Sequence, residues 1–119
     1  MIALTAMGAS ELAGTIKSRK TTASEVLEAH LSRIADLDGR IGAFLARNDE
    51  VARGEARSID ERLARGEDPG ALAGVPVAVK DVMHVRALPT TCGSRILEGF
   101  TPPYEATAVK RLKIGRAHV

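Results

Sequence analysis

Apolar and polar positions over the first two thirds of the chain recur at helical spacing, and the pattern predicts three helices. Gly8-Ala9-Ser10-Glu11 opens the first, with Gly8 as N-cap and Glu11 at the third helical position. Leu12, Ala13 and Ile16 then share one face. Lys17, Arg19 and Lys20 close the segment, where cations suit the negative end of the helix dipole. Thr22-Ala23-Ser24-Glu25 has the form of a capping box and starts the second helix. Leu27, Leu31, Ile34 and Leu37 form its apolar stripe, and the turn dipeptide Asp38-Gly39 predicts its end. The third helix follows Asn48, turns Ala52, Ala56, Ile59 and Leu63 inward, and stops at Gly66. Its remaining positions, among them Arg53, Glu55, Arg57, Asp60 and Glu61, carry mixed charges. A solvated outer face accounts for such a run without a partner.

After the turn Glu67-Asp68-Pro69-Gly70 the character changes. Residues 72–82 are β-branched and nearly continuous in apolar content, which predicts a strand buried on both faces with Pro76 at its start. Residues 86–104 read as loop, rich in Pro, Gly and Thr, and a last helix is expected from Glu105 or Ala106 with Val109 and Leu112 facing inward. A strand covered on both faces needs neighbours on both edges. The chain therefore reads as the N-terminal part of a larger α/β protein, helices followed by the first strands of a mixed sheet.

Composition narrows the function classes. The 119 residues contain one Tyr, two Phe and no Trp, too few rings for a single-strand nucleic-acid platform built on stacking. One Cys excludes an internal disulfide framework and a Cys-rich zinc site. Residues 1–7 lack the charged and apolar regions of a secretory signal, and no apolar run is long enough for a bilayer, so a cytoplasmic chain is expected. Seventeen Lys and Arg against fifteen Asp and Glu give +2, but Lys113 and Arg116 supply that whole excess. The charge balance thus gives no reason to expect direct nucleic-acid binding.

Lys80, at the end of the apolar run, is the first candidate for chemistry. Burial disfavours an ammonium, and a neutral amine can act as general base or nucleophile. The competing reading, which the pattern alone favours, is a strand-end lysine whose stem packs while its charge reaches water. Asp81 points to the opposite face of an extended chain from Lys80 and is expected to be structural, capping the turn that follows. Cys92 and His84 suggest a thiol–imidazole pair, yet nothing adjacent to Cys92 would lower its pKa, so a small thiol in a loop is the expectation. His30 and His118 stand apart, with no metal-ligand spacing. Phosphate-loop, dinucleotide and nucleophile-elbow motifs are absent.

The run Leu72-Ala73-Gly74-Val75-Pro76-Val77-Ala78-Val79-Lys80-Asp81 resembles the amidase signature family. Residues 90–100, Thr-Thr-Cys-Gly-Ser-Arg-Ile-Leu-Glu-Gly-Phe, and Pro103-Tyr104-Glu105-Ala106-Thr107-Ala108-Val109 are similar to its branch of glutamine-hydrolysing subunits in tRNA-dependent amidotransferases. Glu28-Ala29-His30-Leu31 and Ile41-Gly42-Ala43-Phe44 resemble the same N-terminal region, so the likeness extends to Leu112. It implies a Ser–cis-Ser–Lys triad in which Lys80 is the base, removing a proton through a bridging serine from the nucleophilic serine. The implied substrate is glutamine, whose released ammonia amidates Glu-tRNA(Gln) or Asp-tRNA(Asn). The implied partners are the B and C subunits of a heterotrimer, which handles the misacylated tRNA. ATP and magnesium would serve the B subunit, leaving this chain without a cofactor of its own.

Val85, Ala87 and Pro89 depart from the family pattern, which has Thr and Gly at the first two, and the loop there is expected to differ. The family's Gly/Ser-rich segment, which would carry both serines, has no counterpart, so the chain alone is expected to be inactive. Residues 113–119 end in Ile-Gly-Arg-Ala-His-Val, which resembles a translated sequencing-library adapter. The expected organisation is residues 1–112 as the N-terminal part of an amidase signature domain and 113–119 as a non-native tail. Two other readings remain: part of a stand-alone amidase, or a non-catalytic helical interaction module with a structural Lys80.

Overall fold

The computed structural model describes residues 2–86 and 88–114. Among the described residues there are four helices, α1 (Ala9–Lys17), α2 (Ala23–Ile41), α3 (Asp49–Ala64) and α4 (Thr107–Ile114), with short 3-10 turns at Leu4–Ala6 and Arg95–Leu97. All four predicted helices are present, and their local signals explain where they start. The Thr22 hydroxyl accepts the Glu25 N–H at 3.0 Å while the Glu25 carboxylate accepts the Thr22 N–H at 3.0 Å, the reciprocal pair the sequence predicted. The Thr22 N–H, and after it the Thr21 hydroxyl at 2.8 Å, hold the Glu25 carboxyl below the usual carboxylate range. Asn48 caps α3 by accepting the Val51 N–H at 3.4 Å.

The helix ends differ from expectation in one place. α2 does not stop at Asp38-Gly39 but continues through Ile41 and ends at Gly42, whose φ of +66° is open to a residue without a Cβ. Asp38 fixes that end twice: its carbonyl accepts the Gly42 N–H and its carboxylate the Ala43 N–H, both at 2.7 Å. A single helical glycine such as Gly39 costs about 1 kcal/mol, too little to end a helix that has a better stop three residues on. α1 ends with Arg19 in the left-handed region, its N–H bonded to the Ile16 carbonyl and that of Lys20 to Thr15. The Arg19 guanidinium in turn donates to the Leu63 carbonyl near the end of α3, tying two helix ends together.

α1, α2 and α3 enclose one core. Leu12, Ala13 and Ile16 of α1, Ala23, Val26 and Leu27 of α2, and Ala56 and Ile59 of α3 are buried together with Ala73 and Val75. Leu31, Ala52 and Leu63 pack on its margin. The α2–α3 pair is further clasped on its outer face, where the Arg53 guanidinium donates to Glu28 at 2.6 and 3.2 Å and to Glu50 at 3.0 Å.

Residues 72–82 form no strand. A turn at 71–74 leads into an extended stretch with a single bridge at Pro76, and the chain turns again at Lys80, whose carbonyl accepts the Met83 N–H at 3.0 Å. The β-branched, apolar pattern of these residues answers to burial on a pleated surface. A strand exists through its ladder, however, and among the described residues no second strand lies beside this one. Beyond it, Val85, Thr90, Pro102 and Val109 are buried, and the Ala106 N–H, just before α4, bonds the His84 carbonyl at 2.9 Å. Of the three departures from the family pattern, Val85 is buried and Pro89 exposed, and Ala87 lies outside the described residues. α4 runs to Ile114, past Leu112; residues 115–119, most of the expected tail, also lie outside them.

Candidate functional site

The extended stretch sits along one side of a groove of about 870 Å³. It is lined by Leu31, Ile34 and Ile41 of α2, by Phe44 and Leu45 after it, and by Val77, Val79 and Lys80 of the extended stretch. Ile34 and Leu37, predicted to lie in the apolar stripe of α2, face this groove and are half-buried. Ile41 and Leu45 are largely exposed, at 66% and 76%. An apolar lining of this size is the kind of concavity in which ligand sites form.

Lys80 lies where the extended stretch ends, and its side chain is exposed. No ion pair of its ammonium occurs among the described residues. The low-dielectric surroundings that a lysine base needs are not supplied by these residues.

Asp81 is the best-anchored group near it. Its carboxylate accepts the Thr91 N–H at 2.8 Å and the Thr91 hydroxyl, and its carbonyl accepts the Cys92 N–H at 2.9 Å. The two Thr91 bonds hold its carboxyl below the usual carboxylate range, the hydroxyl contributing most. The turn it captures is tight. Cys92 has a φ of +52°, uncommon for a residue with a side chain, Gly93 donates to the Thr91 hydroxyl at 3.2 Å, and Ser94 to the Thr91 carbonyl at 2.8 Å. Thr90, buried, donates its N–H to Phe100 at 3.0 Å. Asp81 thus has the structural, turn-capping role expected of it, and the turn it caps is one that begins ten residues on.

Cys92 and His84 are not joined into a dyad. Cys92 is exposed and free, whereas the His84 ring packs edge-on against Tyr104 at 4.9 Å and Phe100 at 5.8 Å. Packed against two rings, the imidazole anchors the 84–104 loop. His30 bonds through Nδ1 to the Val26 carbonyl at 2.7 Å, and His118 lies outside the described residues. Among the described residues no three His, Cys, Asp or Glu side chains gather as a metal site would require, and no helix is long and apolar enough to cross a membrane.

Comparison with known proteins gives this arrangement a frame. The amidase family model matches residues 25–117, from the capping box through Lys80 and the clamped turn into α4. The chain belongs to the amidase family. Within it, the chain is 51% identical over 113 residues to the A subunit of the glutamyl-tRNA(Gln) amidotransferase of Salinispora arenicola. That match covers 95% of this chain and 23% of the relative, so the chain spans less than a quarter of the relative's length. Among solved structures, a chain of a vestigial protein complex that bears on the evolutionary origins of an s-triazine catabolic enzyme superposes with a TM-score of 0.89 at 41% identity, over 94% of this chain and 25% of that one. A bacterial aryl acylamidase of the amidase signature family gives 0.87 at 26% identity, over 94% of this chain and 24% of that one. The helical arrangement described above is thus the N-terminal region of an amidase signature fold, as the sequence led us to expect. In this amidase family chain residues 74–81 hold the Gly-Val-Pro and Val-Lys-Asp motifs on which the resemblance rests.

Proposed function

We propose that this chain is the lysine-bearing N-terminal part of the glutamine-hydrolysing subunit of a tRNA-dependent amidotransferase. The observation that carries the reading is the 51% identity to such a protein over nearly the whole chain, supported by the position of Lys80 at the edge of an open apolar groove. In this reading Lys80, deprotonated, is the terminal base of a Ser–cis-Ser–Lys triad. It accepts a proton relayed by the bridging serine as the nucleophilic serine attacks the glutamine side-chain amide. That proton is returned through the bridging serine to the amide nitrogen, which leaves as ammonia, and water then hydrolyses the acyl-enzyme. The remainder of the domain, carrying both serines, covers the groove and excludes water from Lys80, which is what a neutral lysine requires. Glutamine is the substrate. B and C subunits complete a cytoplasmic heterotrimer that amidates misacylated tRNA; ATP and magnesium serve the B subunit, while this chain uses no cofactor.

The 119-residue chain alone then releases no ammonia from glutamine. A chimera tests the reading directly: residues 1–112 of this chain replace the aligned segment of the Salinispora arenicola protein, assembled with that organism's B and C subunits. Ammonia release from glutamine supports the assignment. Correct assembly with no release from glutamine, but turnover of another amide, would instead favour a stand-alone amidase origin for this segment. We further infer that residues 113–119 are non-native; resequencing the source gene across Lys113 tests this, and a native frame encoding the same tail would refute it.

A further inference from the structure

We propose that Asp81 is a positioning residue for Lys80: by clamping the Thr91–Cys92 turn it fixes the main chain beside the lysine and keeps its own carboxylate away from the ammonium. The proposal rests on the reading of Lys80 as base and adds to it the device that would hold that base in place.

Three observations carry it. First, the main chain that follows Lys80 is secured by backbone hydrogen bonds. The Lys80 carbonyl is bonded to Met83 and the Asp81 carbonyl to Cys92. Asp81 is therefore a fixed point one residue from the amine, and a lysine on a four-carbon stem is only as well placed as its Cα. Second, the turn that Asp81 holds is itself anchored, through the Thr90 N–H to the Phe100 carbonyl at 3.0 Å and by burial of Thr90. Third, both oxygens of the carboxylate are engaged by Thr91, one by its N–H and the other by its hydroxyl. A free carboxylate next in sequence to Lys80 could swing toward the ammonium and favour its charged form, which would spoil a base. Thr91 holds it back, and among the described residues the lysine has no ion-pair partner.

The two functions of the clamp separate by substitution in the chimera. Thr91→Val deletes the hydroxyl bond, keeps the backbone one and releases one carboxylate oxygen, which lets the side chain turn toward Lys80. It should lower kcat for glutamine about tenfold or more, a loss that small misplacements of a catalytic group can cause, with KM within about twofold. It should also move the acid limb of the kcat–pH profile to higher pH, because the lysine gains a carboxylate partner. Asp81→Asn loosens the turn but removes the charge; kcat should fall without that upward movement of the limb. Thr91→Ser, which keeps the hydroxyl, should behave as the parent. Thr91→Val with unchanged kcat and an unchanged acid limb would overturn the proposal. So would loss of kcat in all three variants in step with their thermal unfolding temperatures and with no movement of the limb, since that is what a purely structural turn would give. Lys80→Ala in the same chimera separates this from the underlying reading: if that variant stays active, the base assignment fails first and Asp81 has nothing to position.

Discussion

A methyl group added to Gly74 would lie 2.8 Å from the Cβ of Ala23 and 2.7 Å from Cδ1 of Ile16. Gly74 also has a φ of +76°, so two separate constraints, space and backbone, meet at the glycine of the Gly-Val-Pro motif. It is here that the segment leading to Lys80 is pressed against the start of α2 and the end of α1. The motif thus acts first as a packing device: it brings the lysine-bearing stretch onto the helical core at a fixed distance. Gly74→Ala should destabilise the chain by about 2–4 kcal/mol, combining left-handed strain with overpacking. Denaturant unfolding measures it. Adding Ala23→Gly should recover part of the loss, because it removes one of the two close contacts but not the strain.

The N-terminus of α2 receives a second cap from a distant residue. The Asp60 carboxylate on α3 accepts the N–H groups of Ala23 at 2.7 Å and Ser24 at 3.1 Å, and the Ser24 hydroxyl at 2.6 Å. Negative charge at a helix N-terminus is favourable, and the cap joins α2 to α3 where they pack. Asp60→Ala leaves first-turn donors without their acceptor and should cost about 1–3 kcal/mol in denaturant unfolding. Ser24→Ala, which deletes one of the three bonds and leaves both backbone ones, should cost less than half of that.

The Asp81 clamp makes a prediction about acid. Its carboxyl is held below the ordinary carboxylate value of 3.8 by the Thr91 hydroxyl, then by the Thr91 N–H. A folded-state pKa below the unfolded one contributes stability that is present above the unfolded value and is lost as pH falls through the folded value. The Thr91 and Cys92 amide resonances should therefore keep their positions as pH is lowered to about 4 and shift together below it. In Asp81→Asn that joint transition should vanish. A midpoint above about 4 in the parent chain would show that the carboxylate is not stabilised by the turn.

What the sequence disclosed about the fold follows from the range of the interactions. Thr22 and Glu25 cap within one turn, and Leu12, Ala13 and Ile16 recur within two, so the periodicity and the capping box located α1 and α2 without knowledge of anything distant. Ala56 and Ile59 were legible for the same reason. Asp60 was not: its charge looked like part of a solvated face, and only the approach of α2, 37 residues earlier in the chain, makes it a cap. Arg53 sat in the same mixed-charge run and turns out to clasp Glu28 across the helix pair. The stretch 72–82 shows the opposite error. Its residues carry the pattern of a buried strand, but pairing is a property of two segments, and the described residues offer it no partner.

The candidate site divides along the same line. Lys80 and Asp81 stood out from their place at the end of an apolar run, and their resemblance to a family motif gave the lysine a role. The bond from Asp81 to Thr91 had no local signal beyond a carboxylate preceding a Thr-rich loop. Cys92 and His84, suggestive as residue types, lie in different environments, one exposed in a tight turn and the other against aromatic rings. The groove could not be read at all, because it is made by α2, the 43–48 loop, the start of α3 and the 76–81 stretch meeting in space.

Lys80 is the residue on which the proposed function rests most directly. In the chimera of residues 1–112 with the remainder of the Salinispora arenicola protein, ammonia release from glutamine is to be measured for Lys80 and for Lys80→Ala, each assembled with the B and C subunits. Loss of a general base removes on the order of 100-fold to 10,000-fold in rate. A base role for Lys80 predicts a fall of at least about 100-fold with assembly of the complex unchanged. Ammonia release within about twofold of the parent chimera, from an equally assembled complex, would contradict it.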